Sequence, residues 1–258
     1  MANRYLGTTI DIHGGGQDLL FPHHENEVAQ SECANGAPLA RYWMHNGYIN
    51  VDNRKMSKSL NNFFTVREVS QEFDYEVIRF FMLSAQYRSP VNFSKELMEQ
   101  AKNALDRLYN CLLSLKFMAE NTEISQATEE EKKQFESISA LENEFKAAMD
   151  DDLNTANAIA VLFDMVKAIN TAFSENEAHS KEVLERCSAL LKKLGDVLGI
   201  LNKDLAVNSD TEIEQLIEER QAARKQKDWA KADAIRDQLA AMDIILEDTP
   251  LGVKWKRK

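Results

Sequence analysis

Apolar residues recur at helical spacing over most of the chain after residue 65. The clearest stripe steps by three or four residues through Leu97, Ala101, Leu105, Leu108 and Leu112. Capping boxes at Thr65–Glu68 and Thr128–Glu131 mark helix starts, because each pairs a hydroxyl with a carboxylate three residues later. Asp74 and Asn154 are further candidate caps. The pattern predicts long helices joined by short links, as in an antiparallel bundle.

The first sixty residues follow a different pattern. Tyr5–Ile12 is predicted to be a strand, Gly14–Gly16 a loop, and Pro22 the start of a helix, with a second strand region over 42–51. A strand, a loop and a helix in this order suit an α/β layer. Sixty residues, however, make only a fragment of such a layer.

The last fifty residues are predicted to form a separate module. One helix opens at Thr211, Asp228 caps a second, and segments 244–247 and 253–256 flank a turn typical of a hairpin. The predicted fold is mainly α, with a partial α/β nucleotide-binding domain, a helical bundle and a small C-terminal α/β module. The expected boundaries are 1–64 for the nucleotide-binding part, 65–120 for a connecting region, 121–205 for the bundle and 209–258 for the module.

Composition narrows the class of protein. The longest apolar run, Ala158–Phe163, has six residues, whereas a membrane helix needs about 18, so no membrane partner is expected. The first residues lack the apolar core of a secretory signal. Three widely spaced cysteines favour a reducing cytoplasm over a disulfide framework.

Charge is unevenly distributed along the chain. Residues 120–212 hold 9 basic and 20 acidic residues, a net charge of −11, while residues 220–258 hold 10 and 6, a net charge of +4. A basic end of this kind can meet a polyanion such as a nucleic acid.

Three clusters near the N-terminus could carry chemistry. Gly14–Gly16 with Asp18 could approach a nucleotide through backbone N–H groups and a carboxylate. His23 and Glu27, four residues apart on a helix, could grip a metal ion, although a surface hydrogen-bonding pair is the commoner meaning of such spacing. Lys55 and Lys58 could bind a polyphosphate if they lie on a mobile loop, although the side chains of a charged loop are usually just solvated.

The segment Lys55-Met56-Ser57-Lys58-Ser59 is identical to the signature loop of class I aminoacyl-tRNA synthetases. Together with the segments 11–18 and 21–27, it makes the chain resemble the cysteinyl-tRNA synthetase family. Further similarity at 42–45, 74–79, 87–90, 233–236 and 246–250 extends the resemblance over the whole chain.

The resemblance implies a function and roles for individual residues. The activity implied is ligation of cysteine to its tRNA through a cysteinyl-adenylate, with ATP, Mg²⁺ and zinc as cofactors. Lys55 and Lys58 would act on the ATP phosphates, and Asp18 would lie at the ribose. His23 and Glu27 match two of four zinc ligands that hold the substrate thiolate. The implied ATP-binding set is Gly14, Gly15, Gly16, Asp18, Lys55, Met56, Ser57, Lys58 and Ser59.

The C-terminal module is the expected tRNA-binding part. Trp229 or Trp255 could stack on an unpaired base, although packing between helices is the favoured interpretation for Trp229. The candidate tRNA contacts are Arg220, Arg224, Lys225, Trp255 and Lys256.

Two departures from the family pattern affect the expected activity. The His-Ile-Gly-His type signature and both zinc cysteines are absent, so the chain resembles the C-terminal portion of the enzyme and is expected to be inactive alone. A stand-alone, non-catalytic tRNA-binding module is therefore an alternative. A cysteine ligase of mycothiol synthesis is less favoured, because a small sugar acceptor does not need the basic C-terminal extension.

Overall fold

A computed structural model describes residues 2–56, 62–175, 177–203, 211–242, 244–249 and 252–257 of the chain, with side chains at only some positions after residue 210. Most of the described residues are helical and the sheets are small, which confirms the predicted mainly-α class. No helix in the described segments is long and apolar enough to cross a membrane.

The chain divides into two compact units. The first consists of Met1–Asp106, Asn143–Val161 and Leu198–Ile200, and the second of Arg107–Glu142, Leu162–Val197 and Leu201–Lys258. The short elements of the first unit are α1 (Ala2–Leu6), β1 (Ile10–Gly16), α2 (Glu25–Asn35), β2 (Ala40–Asn46), β3 (Ile49–Val51), β4 (Arg54–Lys55), α3 (Val66–Val69), α4 (Tyr75–Leu83) and β5 (Val91–Phe93).

Two small sheets lie in the first unit. Strands β1 and β2 are parallel, with His13 opposite Trp43 and Gly15 opposite His45. Strand β3 pairs with β4 on one side, antiparallel, and with β5 on the other, parallel. Asp52 and Asn53, with φ of 49° and 60°, form the two-residue turn between β3 and β4. Positive φ at both positions is the requirement of a hairpin turn whose twist matches its strands.

Some of the N-terminal predictions need correction. Residues 5 and 6 are helical rather than extended, and Gly7, with φ of 88°, follows the last residue of α1. Gly14–Gly16 belong to strand β1 and are not a loop, because their backbone pairs with β2. The predicted helix start at Pro22 agrees with the backbone: within Leu20–His24 only Phe21 is extended (φ −131°, ψ 132°), and the following residues lead directly into α2 at Glu25.

Four long helices follow: α5 (Lys95–Glu120), α6 (Glu129–Asp150), α7 (Thr155–Ala172) and α8 (Lys181–Leu198). The predicted caps are confirmed: Thr128 Oγ1 accepts from the Glu131 backbone N–H at 3.2 Å, and Asn154 Oδ1 accepts from that of Asn157 at 3.1 Å. Within the second unit the helices bury a core that includes Leu112, Leu115, Leu162, Leu184 and Leu191. Burial of each such side chain stabilises the fold by about 1.5–3 kcal/mol.

The C-terminal module consists of α9 (Thr211–Lys225), α10 (Trp229–Ala241), β6 (Ile244–Thr249) and β7 (Gly252–Arg257). Asp228 caps α10, since its Oδ1 accepts from the Lys231 N–H at 3.1 Å. Strands β6 and β7 pair antiparallel, which confirms the predicted hairpin. A small core of Ile213, Ile235, Leu239 and Ile244 holds the module together.

Candidate functional site

One face of the β1–β2 pair carries three ring side chains. Alternate residues of a strand share a face, so the parallel register places His13, Trp43 and His45 on the same side, with Gly15 opposite His45. The Trp43 and His45 rings are stacked, with centroids 5.9 Å apart and planes 7° apart. The His13 ring meets Trp43 edge-on at 4.7 Å. Residues distant in sequence thus form one aromatic surface.

His24, in the turn before α2, completes this surface and is 4% exposed. Its Nδ1 lies 2.9 Å from Nε2 of His45, within hydrogen-bonding distance. A Cβ added to Gly15 would lie 2.8 Å from Cε1 of His24. The glycine therefore leaves the space that the imidazole fills. We call His13, His24 and His45 the histidine cluster.

Glu27 brings a carboxylate to the histidine cluster. Its Oε2 lies 2.6 Å from Nε2 of His13, a buried nitrogen whose contact with the carboxylate lacks the alignment of a hydrogen bond. One ligand atom from each of His13, His24 and Glu27 lies within 4.8 Å of the other two. Two imidazole nitrogens and a carboxylate oxygen are donors that zinc accepts. A hydrogen bond from His24 Nδ1 to His45 would leave Nε2 of His24 for a metal.

The structure places the two predicted metal ligands differently. Glu27 belongs to the group of three donors, whereas His23 is exposed and lies outside it. His23 lies in the turn Leu20–His24 that leads into α2, and Glu27 lies in α2 itself. The His23–Glu27 pair therefore stays a prediction. Sequence reasoning missed His13 and His24 as donors, because their meeting depends on how the turn before α2 packs against β1.

The predicted nucleotide contacts lie along β1 and after β4. Gly16 adjoins Asp18, whose Oδ1 would lie 2.4 Å from a Cβ at residue 16, so the carboxylate occupies the space above the glycine. Lys55 is exposed in β4, and its carbonyl oxygen accepts from Asn62 Nδ2 at 3.1 Å. That bond joins Lys55, the first residue of the signature segment 55–59, to a residue three positions beyond the end of that segment. Met56 follows β4, while Ser57, Lys58 and Ser59 lie outside the described residues.

The predicted tRNA contacts fall into two groups. Arg220 is buried at 8% exposure, and Trp255 packs against the core of the module, so both have a structural part. Arg224 and Lys225 lie in the last turn of α9, and Lys256 lies in β7, where its side chain is not described. The packing expected for Trp229 is wrong: its side chain is 59% exposed at the start of α10.

Models of three protein families match separate segments of the chain. The family described as tRNA synthetases class I (C) catalytic domain matches residues 1–103. The DALR domain matches residues 144–202, and the Cysteinyl-tRNA ligase anticodon binding domain matches residues 209–255.

Two similar curated proteins are cysteine–tRNA ligases. The cysteine–tRNA ligase of Lachnospira eligens is 52% identical over 257 residues, which cover 100% of this chain and 54% of the relative. The cysteine–tRNA ligase of Clostridioides difficile is 52% identical over 257 residues, with 100% and 55% covered. The chain spans about half the length of the curated relatives it matches.

Solved structures with the same fold are larger enzymes. The LeuRS of Agrobacterium radiobacter, in a ternary complex with tRNA and LeuAMS, matches 72% of this chain and 25% of its own with a TM-score of 0.58 and 19% identity. The methionyl-tRNA synthetase of Mycobacterium tuberculosis, in complex with methionyl-adenylate, matches 73% and 40% with a TM-score of 0.55 and 19% identity. At this identity the likeness concerns the fold alone.

Proposed function

This chain belongs to the cysteinyl-tRNA synthetase family, and we propose that it takes part in the ATP-dependent ligation of cysteine to its tRNA through a cysteinyl-adenylate. The observation that carries the proposal is the histidine cluster with Glu27. This cluster adjoins Gly14–Gly16 of β1, which we call the glycine strand, and both lie in the segment matched to the catalytic domain. Because the chain spans about half of its relatives, the complete reaction is assigned to the enzyme of which it forms part.

ATP is the proposed ligand of the glycine strand and of the signature segment. Backbone N–H groups of Gly14–Gly16 can approach a nucleotide closely, and the Asp18 carboxylate can accept from ribose hydroxyls. Lys55 and Lys58 would place ammonium groups near the phosphates, where negative charge grows as pyrophosphate leaves. ATP would bring Mg²⁺ with it, as phosphate substrates commonly do.

A zinc ion is the proposed partner of Glu27. The resemblance to the family gives His23 as a second ligand, whereas the described geometry offers nitrogens of His13 and His24 near the same carboxylate. When bound, zinc would hold the substrate thiolate and so favour cysteine over serine, whose hydroxyl is a poorer ligand for a soft site. The His24–His45 contact would hold the His24 imidazole in place at that site.

The C-terminal module is proposed to contact tRNA, and the location proposed is cytoplasmic. Exposed basic residues at the end of α9, such as Lys225, can neutralise phosphates. Three cysteines that are widely spaced along the chain suit a reducing compartment.

The test is cysteine-dependent exchange of pyrophosphate into ATP by the full-length enzyme that contains this chain. We expect exchange with cysteine, little with serine, and none from residues 1–258 alone. A full-length enzyme that exchanges pyrophosphate with another amino acid in preference to cysteine would contradict the proposal.

A second candidate function is a non-catalytic tRNA-binding module. It is favoured by one observation, the match of residues 209–255 to the Cysteinyl-tRNA ligase anticodon binding domain. Binding of cysteine tRNA by this chain without exchange by any longer form of the protein would support it over the enzyme.

A further inference from the structure

Asp152 lies in the corner between α6 and α7, the turn over residues 151–154, whose backbone conformation is unusual. Helix α6 ends at Asp150 and α7 begins at Thr155, and between them Asp152 and Leu153 have φ of 52° and 53°. Residues other than glycine adopt this left-handed conformation at a cost of roughly 1–2 kcal/mol each, so surrounding contacts must hold them there. One such contact is the bond from Thr155 Oγ1 to the carbonyl oxygen of Leu83, at 2.7 Å.

The Asp152 carboxylate accepts from three side chains of the loop that follows α4, most closely from Tyr87 and Arg88 and at 3.4 Å from Gln86 Nε2. Its Oδ1 accepts from the Tyr87 hydroxyl at 2.9 Å, and its Oδ2 accepts from Arg88 Nε at 2.7 Å. The hydrogen bond from Arg88 lowers the pKa of Asp152, with a smaller contribution from Tyr87, which favours the ionised form. The corner thereby fixes two consecutive residues of the loop over residues 84–90.

The backbone of the same loop contacts two other segments. The carbonyl oxygen of Tyr87 accepts from the Gly47 N–H at 2.8 Å, and that of Arg88 accepts from Gln17 Nε2 at 2.9 Å. A Cβ added to Gly47 would lie 2.4 Å from the carbonyl oxygen of Ser89. The loop and the β2–β3 junction therefore pack backbone against backbone, with no room for a side chain.

These contacts reach both segments to which a nucleotide role is proposed. Gln17 lies between Gly16 and Asp18, and Gly47 precedes β3, which leads through its hairpin to Lys55. A shift of the loop would move the glycine strand relative to the lysine segment. We infer that Asp152 is a positioning residue for the nucleotide site, acting through Tyr87 and Arg88 on Gln17 and Gly47. This inference rests on the proposed function.

The solvent exposure of the Arg88–Asp152 ion pair sets the expected effect of losing it. The side chains of Arg88 and Asp152 are 58% and 45% exposed, and an ion pair in that setting contributes modestly. Loss of the pair should loosen the loop without unfolding the protein. The expected change is therefore several-fold in nucleotide affinity rather than complete loss of activity.

The experiment compares Asp152→Asn with Asp151→Asn in the full-length enzyme. Asn tolerates the left-handed conformation, so the first variant removes the charge with little change in shape. Asp151 is an exposed acid at the same corner with no side-chain bond to the described residues, which makes it the matched control. In pyrophosphate exchange we expect Asp152→Asn to raise the KM for ATP about fivefold, while kcat and the KM for cysteine stay within about twofold.

Two further measurements separate positioning from general damage. Arg88→Ala should reproduce the rise in KM for ATP, and the double variant should be no worse than either single one, because all three remove one interaction. Hydrogen exchange of the Gly47 amide should be faster in Asp152→Asn than in Asp151→Asn. That readout does not need activity, so it tests the loop even if the proposed reaction is wrong.

The possible failures are distinguishable. An unaltered enzyme without cysteine-dependent exchange overturns the proposed function, while the amide of Gly47 still reports on the loop. An active enzyme in which Asp152→Asn matches Asp151→Asn in both KM and exchange overturns the positioning role. A fall in kcat with both KM values unchanged also overturns it, since that pattern indicates loss of folded enzyme.

Discussion

At the residue scale, Gly15 links the glycine strand to the histidine cluster. A methyl group there would lie 2.8 Å from Cε1 and 3.0 Å from Nε2 of His24, so we expect Gly15→Ala to displace the imidazole. Overpacking of this kind costs about 1–3 kcal/mol, and disturbed orientation of a metal-site residue weakens binding by about tenfold or more. Zinc retained by the full-length enzyme after dialysis against a chelator measures the effect.

Gly16→Ala is the matched comparison for Gly15→Ala. The Cβ at residue 16 would meet the Asp18 carboxylate, which is the end of a flexible side chain, so the nucleotide contact should suffer and zinc should stay. Equal zinc loss in both variants would contradict a specific role of Gly15 beneath His24.

Glu27 is the donor common to both versions of the metal site. We expect Glu27→Gln to lower zinc retention at least about tenfold, because an amide is a much weaker ligand than a carboxylate. Glu25→Gln, an exposed change in the same helical turn, is the control. His23→Ala and His24→Ala then identify the nitrogen ligand. Zinc content unaffected by Glu27→Gln would rule out the site.

The sequence singled out Glu27 of this candidate site, and physical reasons explain why it did not single out His13 and His45. Glu27 and Asp18 stand in recognisable motifs, so they could be singled out. His13 and His45 are 32 positions apart, and their meeting depends on the parallel register of β1 and β2. Register is a tertiary property: a shift by one residue would turn either side chain to the opposite face.

At the element scale, Glu131 joins two helix starts in the second unit. One carboxylate oxygen accepts from the Thr128 N–H and the other from the Ser180 N–H, each at 2.8 Å. Burial raises the pKa of Glu131, but the hydrogen bonds from Ser180 and Thr128 outweigh it and hold the pKa below the ordinary value of 4.5. The carboxylate is therefore stabilised in the folded state.

The sign of the pH dependence follows from that shift. Because the folded pKa is lower than the unfolded one, the stabilisation is present above pH 4.5 and is lost as the pH falls through the folded pKa. We expect Glu131→Gln to lower the free energy of unfolding by about 2 kcal/mol at pH 7 and to flatten its acid dependence. Urea unfolding between pH 7 and pH 4 measures both effects. Glu130→Gln, an exposed neighbour, should change neither.

Helix starts were predictable because capping is local. The boxes at Thr65 and Thr128 need only residues three positions apart, and both form as expected. The extent of β1 was not predictable in the same way. Three consecutive glycines favour a turn by intrinsic preference, yet pairing with Met44, His45 and Asn46 holds them extended. Tertiary pairing thus overrides a local preference.

At the scale of the whole molecule, the first unit shows apolar surface around its parallel strand pair. Ile12 and Tyr42 are 60% and 68% exposed, although parallel strands usually have both faces covered. This exposure agrees with a chain that spans about half of its relatives. The sequence could predict a partial nucleotide-binding fold from its motifs, but not which side chains that partial sheet would leave uncovered.

The two tryptophans of the C-terminal module are expected to have different roles, one in tRNA binding and the other in the stability of the module. Trp229 is 59% exposed at the first position of α10, whereas Trp255 packs against a core with Leu239 and Ile244. A base stacked on an exposed aromatic ring contributes about 1–3 kcal/mol, so we expect Trp229→Ala to weaken binding of cysteine tRNA by about tenfold. Trp255→Ala should instead lower the stability of the module.

Salt dependence distinguishes stacking by Trp229 from a general loss of contact. An indole neutralises no phosphate, so Trp229→Ala should leave the slope of log affinity against log salt unchanged. Lys225→Gln should reduce the slope, because an exposed ammonium group in the last turn of α9 is removed. Binding titrations of the full-length enzyme with cysteine tRNA at several salt concentrations measure both. A Trp229→Ala variant with unchanged affinity would exclude stacking at this position, and a reduced slope in that variant would indicate that the substitution disturbs the neighbouring cations instead.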